Sequence, residues 1–280
     1  MSNPAFRLKP QLCASTWRMP NLTWKAGLIL LAALAISLQW ATLFAQEAVP
    51  ARASALEVLW QWIPYILEGF ALNLGMSFGA MAIATVAGIF LGLGQLSRLR
   101  VISWPSRFVT HILRNSPWLV ILFMVMYLVP FEIRLPGFGK VGLPDWIKAT
   151  FAFSLPVLAN ISEILRGAVN SIPKGQWDSA ESLAFTRRQI LWEIILPQCF
   201  KRMIPAWMNW YALLALATPM ASILGVRDVV GNTQAAMEAA GARPDLLAPF
   251  YLFVMGLFFL YIYPISIWTR KLERKYAIAN

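Results

Sequence analysis

The sequence is short of charge, of histidine and of cysteine, and each shortage removes a class of function. Charged residues fill 13% of the 280 positions and hydrophobic ones 59%, whereas a soluble domain carries roughly 25% charged residues. With a mean hydropathy of +0.59, the chain is composed for lipid. One histidine, His111, and two cysteines, Cys13 and Cys199, make neither a zinc spacing nor a disulfide framework. No stretch fits G-x-x-x-x-G-K-[ST], so no loop cradles nucleotide phosphates in the usual way. Glu68, Glu132 and Glu163 fall near the ends of apolar runs, and no crossing holds the paired carboxylates of a proton relay. Gly75-Met76-Ser77-Phe78-Gly79 has the spacing of a nucleophile elbow. That motif needs a strand-to-helix turn with histidine and acid partners, and His111 belongs at a different membrane depth from Ser77.

What is present is a series of uncharged runs. Runs at 26–46, 69–97, 203–226 and 246–269 each reach the ~20 residues that a helix needs to cross a bilayer. Two shorter runs complete the set: 115–131, lengthened backwards through 108–113, and 149–162, continued towards Ala168. The expectation is an all-α membrane protein with six transmembrane helices. The first run is longer than a signal-peptide core, and Leu43-Phe44-Ala45 is a poor cleavage site, so an uncleaved helix is expected there. Residues 46–65, with Trp60 and Trp62, read as an interfacial segment on the outer side. The outer loop 130–146 is dominated by Pro and Gly and reads as turns.

The basic residues alternate with these crossings. Eighteen of the 24 fall on one side, among them Arg7, Arg98, Arg100, Arg107, Arg114, Arg166, Lys174, Arg187, Arg188, Arg202, Arg270 and Arg274. The remaining six are Arg52, Arg134, Lys140, Lys148, Arg227 and Arg243. This threefold bias is the positive-inside pattern and predicts an inner (cytoplasmic) membrane protein with both termini cytoplasmic. Topology therefore accounts for the net charge of +11, and nucleic acid need not be invoked. Both cysteines then face the reducing side.

The second run is rich in small residues, with Gly75/Gly79 and Gly88/Gly92 at spacing four, which lets helices approach closely in lipid and predicts a central position. The inward segment 166–202 also carries structure. Pro173, Lys174 and Gly175 make a turn, Asp178 can cap a helix, and Ala180, Leu183, Ala184, Ile190, Leu191, Ile194 and Ile195 recur at helical spacing until Pro197 stops them. Glu163 and Arg166, three apart, can pair on one helix face. A cytoplasmic helix with one apolar stripe calls for a protein surface to cover it.

The stretch from Glu163 through Arg166, Gly167, Ala168, Ser171, Ile172, Pro173, Gly175, Gln176 and Trp177 to Asp178 and on to Pro197 resembles the cytoplasmic "EAA" loop of binding-protein-dependent importer permeases, in the branch that imports polar amino acids. Asp178, Ser179 and Ala180 stand at the Glu-Ala-Ala places, Ala184 at the Gly place, and Ile194, Leu196 and Pro197 at the Ile-x-Leu-Pro end. Arg114-Asn-Ser-Pro-Trp-Leu-Val and Ser222-Ile-Leu-Gly-Val-Arg-Asp resemble two further family motifs. Ala184 departs from the pattern, and if that place needs a left-handed turn, alanine costs about 1 kcal/mol or more there.

The resemblance implies a type I ABC importer transmembrane domain at 63–280, a five-helix core with its coupling loop at 166–202. The N-terminal tail, an extra helix and the outer segment would occupy 1–62. It implies a transport subunit rather than an enzyme, with no cofactor of its own, since ATP and Mg would be bound by partner ATPases. A second permease subunit, homo- or heterodimeric, and a soluble substrate-binding protein would complete the complex in the bilayer. In many amino-acid permeases of this branch a charged pair precedes the Thr/Ser-Ser-Leu stretch. Leu216 and Ala217 occupy those places here, so a neutral pathway, or a charged site in the second permease, is expected. Asn73, Ser77, Asn209, Thr218 and Ser222 can line it, with helix-packing polarity as the alternative for each. An ion-coupled transporter is one rival, and it would leave the inner amphipathic segment without a partner; a membrane-embedded scaffold without transport is the other.

Overall fold

The computed structural model describes residues 53–135 and 139–276, together with the isolated helical positions Ala32 and Ile36. Apart from those two positions, the expected tail and first crossing lie outside the described residues. The first helix with described bounds, α1 (Ala55–Gln95), begins with a capping box in which Ser54 Oγ accepts from the Glu57 N–H and Glu57 accepts from the Ser54 N–H. It then runs for 41 residues, about 60 Å at 1.5 Å per residue, twice the ~30 Å of a hydrocarbon core. From Ala55 onward the interfacial segment expected over 46–65 is continuous with α1, and the boundary expected at residue 62 falls inside this helix.

Next come α2 (Arg100–Asn115) and α3 (Trp118–Leu128), bent by 107° relative to each other. Sequence reading joined them in one crossing. The break follows from Pro117, which disfavours the helical region for the residue before it, and Ser116 is extended at ψ 138°. A two-stranded hairpin, β1 (Glu132–Leu135) against β2 (Gly139–Gly142), occupies the loop 130–146 that was read as turns, and the Leu143 N–H donates to the Phe131 carbonyl at its base.

Then follow α4 (Asp145–Asn170), α5 (Lys174–Ser182), the single turn α6 (Arg187–Gln189), a π-helical turn at Ile190–Ile195 and α7 (Leu196–Ala217). Pro197 does not stop this helix. Its ring lacks the N–H and crowds the carbonyl four residues back, and the widened π turn ahead of it takes up the misfit, with the Leu196 N–H bonded to the Leu191 carbonyl. A 3₁₀ segment (Thr218–Leu224), α8 (Val229–Ala239), a 3₁₀ turn (Pro244–Leu246) and α9 (Leu247–Tyr276) complete the described chain.

The fold is thus almost wholly helical. Among the described residues three helical stretches are long and apolar enough to cross a bilayer: α1, α4 and Pro244–Tyr276. The number rises to five if the bent pairs α2/α3 and 187–224/α8 each count as one span. Six crossings are not reached within the described residues.

The centre of the packing is α1 against α4. A Cβ on Gly88 would stand 2.7 Å from the Leu158 carbonyl oxygen, and one on Gly92 3.0 Å from that of Ser162, so this spacing-four pair is where the two backbones meet. Gly79 faces Thr150, whereas Gly75 faces open space. Where α1 ends, Gln95 Nε2 donates to Thr110 Oγ1 and to Ser162 Oγ, both at 2.9 Å, tying α1, α2 and α4 together. Lys148, buried at the start of α4, lies 2.9 Å from an Asp145 oxygen and 3.5 Å above the Phe131 ring, which joins the base of the hairpin to the helix.

Candidate functional site

The segment 166–202 is built outward from the end of α4. Arg166 makes a fork onto Glu163, Nε to Oε1 at 3.1 Å and Nη2 to Oε2 at 2.6 Å, and Arg114 reaches the same carboxylate at 3.6 Å. After Asn170 the chain turns through Ser171, Ile172 and Pro173. Arg202 on α7 donates to the Ser171 carbonyl at 2.9 Å and to its hydroxyl at 2.8 Å, fixing the turn to the later helix. Pro173 precedes the first residue of α5, so Asp178, expected as a cap, lies inside the helix and is exposed together with Ser179.

The apolar stripe read as one helix is broken by a corner. At the end of α5 the Ala184 N–H donates to the Glu181 carbonyl and the Phe185 N–H to the Ala180 carbonyl, with Ala184 at φ 60°. These two bonds and one left-handed residue form a Schellman motif, whose left-handed place is ordinarily glycine. Phe185 packs against the cluster that Ala180 forms with Leu165, Val169, Ile172, Ile190, Ile195 and Cys199. Directly afterwards Thr186 and Gln189 form a capping box, the Thr186 N–H to Gln189 Oε1 at 2.9 Å and the Gln189 N–H to Thr186 Oγ1 at 3.5 Å. The corner from Leu183 to Phe185 is therefore pinned on both sides.

Burial divides the stripe. Ala180, Ile190 and Ile195 are buried, and Ile194 and Leu196 half-buried. Pro197 and Ala184 are exposed, and Leu183 stands out at 73% exposure. Leu183 is the apolar tip of the corner. Gly167 and Gly175 have open space where a Cβ would point, so packing within this chain does not demand glycine at either place.

The left-handed alanine yields a prediction. Alanine pays a steric cost at φ 60° that glycine does not, about 1 kcal/mol or more. An Ala184→Gly chain is expected to unfold at a higher temperature in detergent than its parent, with the gain reduced by glycine's larger unfolded-state entropy. A lower melting temperature would contradict the conformation.

The five polar candidates for a pathway do not form one group. Asn73 and Thr218 meet: Asn73 Nδ2 donates to Thr218 Oγ1 at 3.1 Å and to Asp228 Oδ2 at 3.3 Å, while Asn73 Oδ1 accepts from the Val229 N–H at 2.8 Å. Asp228 also caps α8, its Oδ1 accepting from the Gly231 N–H at 2.9 Å. Asn73, Thr218 and Asp228 are all fully or almost fully buried. Ser77 lies one turn along α1, 3.3 Å from the Tyr211 hydroxyl, which in turn bonds that of Tyr261. Set in the middle of α1, Ser77 has none of the geometry of a nucleophile elbow. Ser222 bonds the Pro219 carbonyl of its own turn. Asn209 is exposed and lines a cleft of about 710 Å³ with Ser171, Arg202 and Glu273.

Tyr211 and the Thr186/Gln189 cap were not singled out from the sequence, Leu183 was read only as one place on the apolar stripe, and Asp228 only as the end of a family motif. A signal existed for the cap, whose Thr-x-x-Gln spacing stands in plain order. None existed for the pairing of Asp228 with Asn73, 155 residues away.

Residues 84–277 match the family described as "Binding-protein-dependent transport system inner membrane component". Among curated proteins the chain is 30% identical over 216 residues to the probable amino-acid ABC transporter permease protein YckA of Bacillus subtilis (strain 168), covering 76% of this chain and 90% of that one. It is 30% identical over 214 residues to the arginine transport system permease protein ArtQ of the same organism, covering 76% and 93%. Among solved structures, the crystal structure of an amino acid ABC transporter with histidines superposes with a TM-score of 0.68 at 20% identity, over 80% of this chain and all of that one. That last likeness speaks for the fold.

Proposed function

Because the chain belongs to the binding-protein-dependent transport-system inner membrane components, we propose that it is the permease subunit of an ATP-driven importer of polar amino acids, pulled by a partner ATPase at the corner around Leu183. The observation that carries this reading is the corner itself. A Schellman cap and a capping box hold a bare leucine between two short helices, on a loop fixed by Arg202 to α7 and continuous with α4. A rigid handle of this kind passes rigid-body motion to crossing helices without chemistry of its own.

On this reading both termini are cytoplasmic, two ATPases hold 178–194 and bind ATP and Mg, and a soluble binding protein delivers substrate to the outer loops 131–148 and 226–245. A second permease subunit shares the pathway, and alternating access follows from rocking of the two halves. Asp178, Ser179, Ala180, Ala184, Ile194, Leu196 and Pro197 form or support the coupling surface, while Glu163, Arg166, Gly167, Pro173 and Gly175 shape its approach. The names of the relatives, one of them an arginine system, support amino acids as the substrate class. Of the pathway candidates, Asn73, Ser77 and Thr218 are engaged within the helix packing and Ser222 bonds its own turn, which leaves Asn209, at the cleft with Arg202 and Glu273, as the polar group open to a solute.

Co-purification tests the assignment. A tagged chain extracted in mild detergent is expected to bring down an ATPase, and liposomes holding the complex are expected to take up amino acid only with ATP inside and binding protein outside. Uptake driven by an ion gradient without nucleotide would overturn it.

A further inference from the structure

Helix α2 is amphipathic in the inverted sense. The side packed on the protein is polar: Thr110 is buried between Gln95 and Ser162, Ser103 is buried, and Ser106 lies against Gly94. The opposite side is apolar and open, with Val101 86% exposed, Trp104 69%, and Ile102, Phe108, Val109 and Ile112 exposed as well. Trp104 and Phe108 stack with ring centroids 5.7 Å apart. A helix that hides its polar face and presents its apolar one has been fitted to hydrocarbon on the outside.

Its charge is of one sign. No acidic residue occurs between Glu68 and Glu132, whereas Arg98, Arg100, Arg107 and Arg114 all do. Beside Trp104 a shallow cleft of about 600 Å³ is lined by Arg100, Val101, Ser103, Pro105 and Arg107. The helix also stands at 107° to α3, so when α3 enters the bilayer α2 runs close to the membrane plane.

We propose that α2 lies in the cytoplasmic face of the bilayer and that Arg100 and Arg107, beside Trp104, bind the phosphate of an acidic phospholipid. The apolar side sinks among the acyl chains, the indole sits at headgroup depth, and the two guanidinium groups meet the phosphodiester. This rests on the inward placement of the basic segments argued above but not on ATP coupling.

The test reads lipid binding alone. The chain, purified with its accompanying subunits, is placed in nanodiscs of phosphatidylcholine with or without phosphatidylglycerol, and the lipids kept after release are counted by native mass spectrometry. Phosphatidylglycerol retention is expected to fall about tenfold or more in R100Q/R107Q, with phosphatidylcholine retention unchanged. For the parent protein, retention is expected to fall as salt is raised, which keeps the test valid if the double variant does not assemble. Inorganic phosphate is expected not to displace the lipid. Equal retention by parent and variant, retention indifferent to salt, or displacement by free phosphate would each overturn the proposal. Crosslinking of a Val101→Cys chain to a second permease would overturn it too, by showing a protein on this face. All of these measurements proceed without nucleotide, so a failure of ATP-linked uptake leaves them standing.

Discussion

A Leu183→Asp chain is expected to insert and fold like its parent and to lose ATP-linked uptake. Leu183 has helical-side backbone angles at the end of α5 (φ −84°, ψ 11°), so aspartate fits there without strain. Its side chain is 73% exposed, so the cluster beneath, formed around Ala180, Ile190 and Ile195, keeps its contacts. A partner groove covering the leucine would have to desolvate a carboxylate instead. Central apolar anchors of an interface are worth about 2 kcal/mol or more when removed, so affinity for the ATPase should fall roughly thirtyfold or further. Uptake into liposomes and ATPase retained on a tagged column measure the two effects together. Leu183→Met, which keeps an apolar tip of similar volume, should retain both. Full uptake by the aspartate variant would mean that this corner is not where the force enters.

The corner also shows how far the sequence could be read. Family spacing located Ala184, and elementary sterics stated what an alanine there would cost if the turn were left-handed; the structure places it at φ 60°. Helical spacing misled in the same stretch, since seven apolar residues matched one helix while two local signals, the Schellman cap and the Thr186/Gln189 box, divided it. Gly88 and Gly92 were legible because close helix approach depends on small residues at spacing four and on little else. The bend before α3 could have been read from Pro117, but the apolar runs on both sides favoured one unbroken helix. Asn73 and Thr218 were marked only as polar residues. Their joint engagement with Asp228 depends on how α1 lies against α8, a tertiary fact that no local pattern encodes.

That meeting of α1 and α8 is where the most damaging small substitution is expected. A Cβ on Gly69 would stand 2.6 Å from the Asp228 carbonyl oxygen, 2.7 Å from its carbonyl carbon and 2.8 Å from the Val229 nitrogen. All three are backbone atoms, so no flexible side chain can swing aside, and one helix must move. The same peptide is held by Asn73, whose Oδ1 accepts from the Val229 N–H, and the Asp228 carbonyl itself accepts from the Asn232 N–H at 2.8 Å. Asn232 reaches back to the Tyr65 carbonyl on α1 at 2.8 Å. Displacing α8 by the needed ångström therefore strains or breaks several buried hydrogen bonds. Overpacking costs about 1–3 kcal/mol, and each buried polar group left unpaired about as much again. Gly69→Ala is thus expected to destabilise by roughly 3 kcal/mol or more, read as a marked fall in melting temperature and as aggregation on extraction. Gly75→Ala, six residues along the same helix in open space, controls for helix propensity. It should be neutral or stabilising by up to ~1 kcal/mol. If both alanines behaved alike, the tight contact between the two backbones would be refuted, and with it the seat that fixes Asp228 beneath Asn73.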